Sequence, residues 1–354
     1  MKKVIIGVIG CGNIANGAHI PSYMNNTECE IKYFCDIIPE KAEQAVAHYG
    51  VGKAITDYHE ILNDPEVDAV SVCTPNKMHA IISIDALRAG KDVLCEKPAA
   101  RTYAEALEMQ KVQHETGKTL NIGVVNRFSN AVNLVREKIQ NGELGKIYHV
   151  YINFRRYRGI PGIGGDFTTK AVAGGGALID CGVHLLDIVM YCTGDPKILS
   201  ASGKAFDLLG KDIPNYVYTG MWAEDKKNVN GTFDVDDFAT AFVRTAGPTV
   251  TMNICWAQNI GIEETYIEFF GDKAGIRLTY GGDFTEWGVR EGKLYEEKPA
   301  FTPNNMFQTE IDAFVDCVRT GKRLPSHIDN AVITSQLMQA IYDSSASGKE
   351  VTFD

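Results

Sequence analysis

Residues 3–9 (KVIIGVI) form a continuous β-branched run, as expected of a strand buried on both faces, and short apolar runs recur at 30–35, 68–73, 92–95 and 119–125. Between them lie longer segments of helical character at 40–49, 59–63, 77–90 and 103–116, with Gly90 and Gly117 as stop signals. This alternation predicts βαβ units and a parallel sheet that binds ligands at the carboxyl ends of its strands. The pattern changes near residue 126. A helix (129–140) and a strand (147–154) lead into a glycine-rich stretch, 155–176, and then into another helix. After Gly194 come strand-like runs at 197–206, 237–245, 249–256, 265–270 and 275–280. There Ala239, Ala241 and Val243 alternate with Thr240, Phe242 and Arg244, so this sheet is expected to be mostly antiparallel with one wet or partner-covered face. Helices at 306–319 and 328–346, parted by Gly321, end the pattern.

The turn after the first run carries chemistry. Gly10-Cys11-Gly12-Asn13-Ile14-Ala15 reads GxGxxA between a strand and an expected helix. Gly10 permits the tight turn, and Gly12 lets the backbone approach a pyrophosphate. Ala15 allows close helix–strand packing, and the helix start at Asn13 and Ile14 faces the phosphates. The second run ends in Asp36, where a carboxylate would hold the adenosine ribose hydroxyls. Ile37 and Ile38 follow it, with no arginine to neutralise a 2′-phosphate, which favours NAD over NADP. Lys97 stands at a strand end beside Pro98, placed to point into the crevice where a nicotinamide would lie. The expected fold class is α/β. An N-terminal Rossmann NAD-binding domain spans 1–124. An α+β substrate-binding and oligomerisation domain spans 125–354, with a large, mostly antiparallel open sheet. The closing helix 328–346 is free to pack back toward the first domain.

A net charge of −10 without a basic stripe argues against nucleic acid as partner. Nine cysteines without a CxxC pair, most of them in apolar runs, fit a reducing cytoplasm better than a disulfide framework. The apolar start (MKKVIIGVIG) meets glycine and cysteine at once and reads as a strand, not a leader. No stretch approaches the roughly 20 apolar residues of a membrane helix, so no membrane partner is expected. No ligand cluster for a metal is visible. A sheet this open is expected to pair with another subunit as a homo-oligomer. Residues 207–236 form a long polar insertion of unassigned role.

The stretch Gly174–Asp187 (GGGALIDCGVHLLD) holds the strongest candidate chemistry. Asp180 and His184 are four apart and share one helix face, which Asp187 continues. A carboxylate, an imidazole and a glycine hinge suit a general base, and a surface Asp–His pair has the same spacing. The preceding glycine-rich loop is anchored by Tyr157, Ile160, Ile163 and Phe167, and loops of this length are usually functional.

Taken together, GxGxxA at the start, Thr74-Pro75-Asn76 with His79, Glu96-Lys97-Pro98, GGGALIDCGVHLLD and the closing AIYDSSASGKEV give the chain a resemblance to the Gfo/Idh/MocA oxidoreductases along essentially its whole length. The resemblance implies NAD-dependent oxidation of a secondary alcohol on a sugar or cyclitol, or the reverse reduction. It implies His184 as acid/base, Asp180 as its partner and substrate ligand, and Lys97 as the lysine of the EKP signature. It sets Thr74, Pro75, Asn76, His79 and Glu96 at the cofactor. Arg158 through Gly162, with Phe167-Thr168-Thr169-Lys170, is similar to the branch that oxidises glucosides, sometimes at ring carbon three. Tyr157, Phe167 and Trp256 are expected to stack on a pyranose or aglycone, and Arg127 to contact substrate or cofactor. A glycoside or free-sugar dehydrogenase is the first expectation and an inositol dehydrogenase the second. A glycosidase working through transient oxidation, with NAD held throughout, keeps the same residues. A non-catalytic NAD-sensing regulator would not need Lys97 and His184.

Overall fold

The structure, a computed structural model, describes residues 2–220 and 227–353. It separates into two compact units, Met1–Phe128 with Asn304–Val332, and Ser129–Pro303 with Ile333–Asp354. The expected boundary after residue 124 thus falls at Phe128, and Asn304–Val332 returns to the first unit instead of staying with the second.

The first unit holds six strands: β1 Val4–Ile9, β2 Cys29–Cys35, β3 Lys53–Ile55, β4 Ala69–Val72, β5 Asp92–Glu96 and β6 Leu120–Gly123. They lie in the order β3-β2-β1-β4-β5-β6, with every pairing parallel. β1 shows why its sequence is an unbroken apolar run. Val4, Ile6 and Val8 enter one core and Ile9 another, as in a sheet covered on both faces. The helix Met306–Thr320 covers part of the first of these cores with Ile311, Phe314 and Val315, and Asn305 caps its start by accepting the Gln308 N–H.

The second unit is built on a nine-stranded sheet. Its strands are β7 Ile147–Arg155, β8 Ile198–Phe206, β9 Phe238–Thr245, β10 Thr249–Cys255, β11 Glu264–Gly271, β12 Ala274–Thr279, β13 Phe284–Arg290, β14 Lys293–Glu297 and β15 Val351–Thr352. The order is β14-β13-β12-β11-β7-β10-β9-β8-β15, antiparallel except for the parallel pair β7–β10. Val150, Ile152, Ala241, Val243, Met252 and Ile254 alternate onto one buried face, in a core shared with the helix Val183–Thr193. The opposite face carries Tyr151, Phe238, Phe242 and Asn253, all half-buried.

The helical run Lys170–Thr193 is, contrary to expectation, long and apolar enough to cross a membrane by length and composition, with mean hydropathy 1.5. The cause is packing: 78% of its apolar window is buried inside the protein, as in a core helix. Of the insertion 207–236, residues 221–226 lie outside the described residues. The rest is stitched onto the glycine-rich loop. Asn228 N–H donates to Ile163 O at 3.0 Å, Thr168 Oγ1 to Thr232 O at 2.7 Å, and Ile160 N–H to Tyr216 Oη at 3.2 Å.

Candidate active site

The first unit supplies the dinucleotide turn. Gly10 has φ +94°, and a Cβ there would lie 2.5 Å from Cys73 O, so both conformation and space demand glycine. A Cβ on Gly12 would meet nothing within 4 Å. Glycine at this position therefore leaves open room above the turn and answers no internal clash, as a pyrophosphate-binding turn requires. Ala15 is fully buried, and a π-helical turn, Ala15–His19, leads into the helix Ile20–Asn25. The Asp36 carboxylate accepts the Cys11 N–H through Oδ2 and the Ile38 N–H through Oδ1, both at 2.9 Å. It thereby ties the turn to the end of β2, and each oxygen keeps a further lone pair for a ribose hydroxyl. Ile37 beside it is 87% exposed. No cation follows Asp36 in this loop, so these residues fit NAD, and Ile37 offers an apolar surface that the sequence reading passed over.

The other expected cofactor residues divide. Pro75 is exposed, Thr74 and Asn76 are half-buried, and Thr74 Oγ1 has no hydrogen-bond partner among the described residues. His79 is buried and bridges the Pro98 and Thr74 carbonyls at 2.7 and 2.8 Å, so it braces the two loops. Glu96 is buried as well. Its Oε1 meets His19 Nε2 at 2.8 Å and its Oε2 accepts the Lys97 N–H at 3.0 Å, which replaces the expected cofactor contact with an internal one. Arg127 is also corrected: it is 2% exposed and donates from Nη1 to Pro325 O at 2.9 Å within the first unit. Lys97 is half-buried, and the Lys97–Pro98 peptide is cis.

In the second unit Gly174 ends the short helix Lys170–Ala173 at φ +88°, and the next two glycines answer close packing. A Cβ on Gly175 would fall 2.1 Å from Tyr342 Oη, and one on Gly176 1.8 Å from Asp236 O. They let the chain pack against the buried Asp236, a residue missed in the sequence because it ends a polar insertion. Asp236 Oδ1 accepts the Gly176 N–H at 2.8 Å and the Tyr342 hydroxyl at 2.7 Å, and Oδ2 accepts the Leu178 N–H at 2.9 Å. This carboxylate caps the helix start and complements its dipole.

A π-helical turn, Leu178–Gly182, follows and runs into the α-helix Val183–Thr193. That α-helix is buried on nearly every side, and only His184 and Thr193 among its residues are not buried. Asp180 is half-buried. Its Oδ2 accepts the Trp256 indole N–H at 3.0 Å and the Cys181 thiol at 3.4 Å. The His184 ring lies 6.0 Å from that of Tyr280. Asp187 does not share an open face with them: it is 1% exposed, and the Thr334 hydroxyl donates to its Oδ1 at 3.4 Å. Trp256 is wholly buried, so it offers no ring face for a sugar and acts instead on Asp180. Tyr157 and Phe167 are exposed. The Arg158 guanidinium sits 5.8 Å from the Tyr157 ring and 5.7 Å from that of Tyr216, and it hydrogen-bonds Asn259 Oδ1. A cleft of about 640 Å³ on the other face of the sheet, lined by Arg155, Phe206, Asp237 and Asn253 among others, contains none of the expected site residues. Among the described residues no group of three His, Cys, Asp or Glu side chains is arranged to hold a metal ion.

Comparison with known proteins agrees with this architecture. Residues 4–124 match the model of the oxidoreductase family with an NAD-binding Rossmann fold, and residues 132–277 match the GFO/IDH/MocA C-terminal domain. D-glucoside 3-dehydrogenase of Escherichia coli K12 is 31% identical over 349 residues, covering 98% of this chain and 96% of that protein. The NAD+-dependent scyllo-inositol 2-dehydrogenase of Bacillus subtilis 168 is 28% identical over 322 residues, 90% of this chain and 87% of its own. The solved structure of levoglucosan dehydrogenase with NADH and levoglucosan superposes with a TM-score of 0.84 at 21% identity, covering 100% of both chains. The chain belongs to the Gfo/Idh/MocA family of NAD-binding oxidoreductases acting on CH–OH groups.

Proposed function

We propose that the protein is an NAD-dependent dehydrogenase that oxidises a secondary ring hydroxyl of a glucoside, at carbon three, to the ketone. The observation that carries this reading is the exposure pattern of the helix Val183–Thr193. His184 alone breaks its buried first turns, one turn after an Asp180 carboxylate held by Trp256. The relative at 31% identity over 98% of the chain supplies the substrate class.

Gly10, Gly12, Asp36 and Thr74 would hold NAD, which when bound accepts the hydride from the carbinol carbon. Neutral His184 removes the hydroxyl proton as the C–H bond breaks. The Lys97 ammonium donates a hydrogen bond to the same oxygen and offsets its developing charge. Asp180, its second oxygen fixed by the indole, accepts from a neighbouring sugar hydroxyl. Tyr157 and Phe167 present rings to the pyranose or aglycone. A second reading, an inositol dehydrogenase, is supported by the 28% identity to the scyllo-inositol enzyme. The buried thiols, none of them in a disulfide, are in keeping with a reducing cytoplasm, and the outer sheet face is the proposed contact for a second copy of the chain.

The test is a panel of methyl and aryl glucosides, free hexoses and inositols with NAD or NADP, read as reduced-cofactor absorbance. A glucoside with NAD should give the highest kcat/KM, and His184→Ala should lower kcat by about a thousandfold while NADH still binds. Turnover of inositols alone would replace the first reading by the second. Aglycone release without net reduced cofactor would make the protein a glycosidase working through transient oxidation.

A further inference from the structure

His19 has no part in the roles above, yet it is the most enclosed titratable group near the cofactor turn. It ends the π-helical turn Ala15–His19 and is 0% exposed. Both ring nitrogens are engaged, Nδ1 with Ser71 Oγ on β4 and Nε2 with Glu96 Oε1 at the end of β5, each at 2.8 Å. The other oxygen of Glu96 accepts the backbone N–H of Lys97 at 3.0 Å. A continuous path of hydrogen bonds thus runs from the turn behind Gly12 to the backbone of the lysine. β6 leaves the space for it, since a Cβ on Gly123 would lie 3.1 Å from Glu96 Oε1.

The electrostatics agree with a buried ion pair. Burial opposes ionisation of Glu96, but the hydrogen bond and charge of His19 outweigh it and hold the carboxyl below its usual range. Burial likewise opposes protonation of His19, and the neighbouring Cys73 and Glu96 outweigh it and hold the imidazole well above its usual range. Loss of one partner of such a pair leaves the other charged and buried, which is costly.

We propose that His19 is a positioning residue: through Glu96 it fixes the start of the Lys97-Pro98 turn against the helix that follows the dinucleotide turn, so that cofactor binding and lysine placement are coupled. The role of Lys97 rests on the dehydrogenase reading; the coupling itself does not.

The experiment is a double-mutant cycle on the full chain, with His19→Ala and Lys97→Ala, read in two ways. With NAD and methyl glucoside, His19→Ala should lower kcat roughly thirtyfold with KM changed less than about threefold, only part of the cost of unpairing a buried charge falling on the turnover step. His19→Gln, which keeps a donor toward Glu96, should recover most of the loss. In the Lys97→Ala background the same His19→Ala change should cost less than about twofold, because its effect passes through the lysine. Equal losses in both backgrounds would overturn the assignment. The second reading is NADH binding by fluorescence titration, where the two substitutions should be non-additive and additive losses would overturn the coupling. If the wild type oxidises no glucoside, the dehydrogenase reading falls alone and the NADH cycle decides the role of His19. If His19→Ala does not fold, His19→Leu, which fills the space without a donor toward Glu96, takes its place in both cycles under the same criteria.

Discussion

Trp256 and Asp180 form a hydrogen-bonded contact one helical turn before His184, the proposed base. The indole N–H donates to Asp180 Oδ2 at 3.0 Å from a wholly buried ring. Trp256→Phe removes the donor and leaves a small cavity, so Asp180 Oδ2 keeps only the weaker Cys181 thiol bond of the two described and the carboxylate is less firmly oriented. We expect kcat to fall about tenfold and stability by roughly 1–3 kcal/mol, measured by steady-state kinetics and urea unfolding. An unchanged kcat with lowered stability would limit Trp256 to packing. Lys97, Asp180 and His184, the residues of the proposed reaction, are marked in the sequence by residue type and motif order. The buried braces were not. Glu96, Arg127, Trp256 and Asp187 read as site residues or as an open face, while His19 and Asp236 escaped notice. Whether a polar side chain faces inward depends on what packs over it, and here Ser71, Pro325, Asp180, Thr334 and Tyr342 lie far away in sequence. One usable signal for His19 was a histidine directly before Ile20-Pro21, where Pro opens a helix just behind the dinucleotide turn.

At the scale of elements, two glycines separate binding from architecture. A Cβ on Gly12 meets nothing within 4 Å, whereas one on Gly176 overlaps Asp236 O at 1.8 Å. Gly12→Ala should therefore keep the wild-type melting temperature within about 2 °C while NADH binding weakens at least tenfold, since only the ligand's space is filled. Gly176→Ala should cost about 3 kcal/mol or more, because backbone atoms must separate and the cap on the helix start is lost. Calorimetry paired with NADH titration checks both, and the reverse ranking would contradict the geometry. The parallel sheet was readable from its apolar runs, and six strands of the second sheet, β7 to β12, from strand-like runs. β3 escaped because it has three residues, and β13 and β14 because their exposed positions leave little apolar signal. The π-helical turns at Ala15–His19 and Leu178–Gly182 have no counterpart in a period of 3.6 residues.

For the whole molecule, the outer face of the nine-stranded sheet is aromatic and only half-buried among the described residues, while the helix Val183–Thr193 packs on the other face. Phe206 and Phe238 stack there at 5.5 Å, and Phe242 and Tyr151 share the face in a half-buried state. Aromatic area of this kind favours pairing with a second copy. Sedimentation velocity should show a dimer or higher oligomer at micromolar concentration, and Phe242→Asp should shift it toward monomer. A wild-type monomer would remove the proposal. Both two-domain organisation and this open face were visible in the sequence pattern. The return of Asn304–Val332 to the first unit was not, because the apolar face of a helix does not say which sheet it will cover.

The nine cysteines have a consequence of a different kind. All are buried and none is in a disulfide, and burial pushes the Cys11, Cys35 and Cys95 thiols up to about 12. Six of them (Cys11, Cys29, Cys35, Cys73, Cys95 and Cys317) belong to the first unit and three (Cys181, Cys192 and Cys255) to the second. The native protein is thus nearly silent toward thiol reagents, while opening of either unit unmasks its own set. The chain carries a built-in stopwatch for each half: pulsed alkylation followed by peptide mass spectrometry would time the unfolding of the two units separately, with no label introduced.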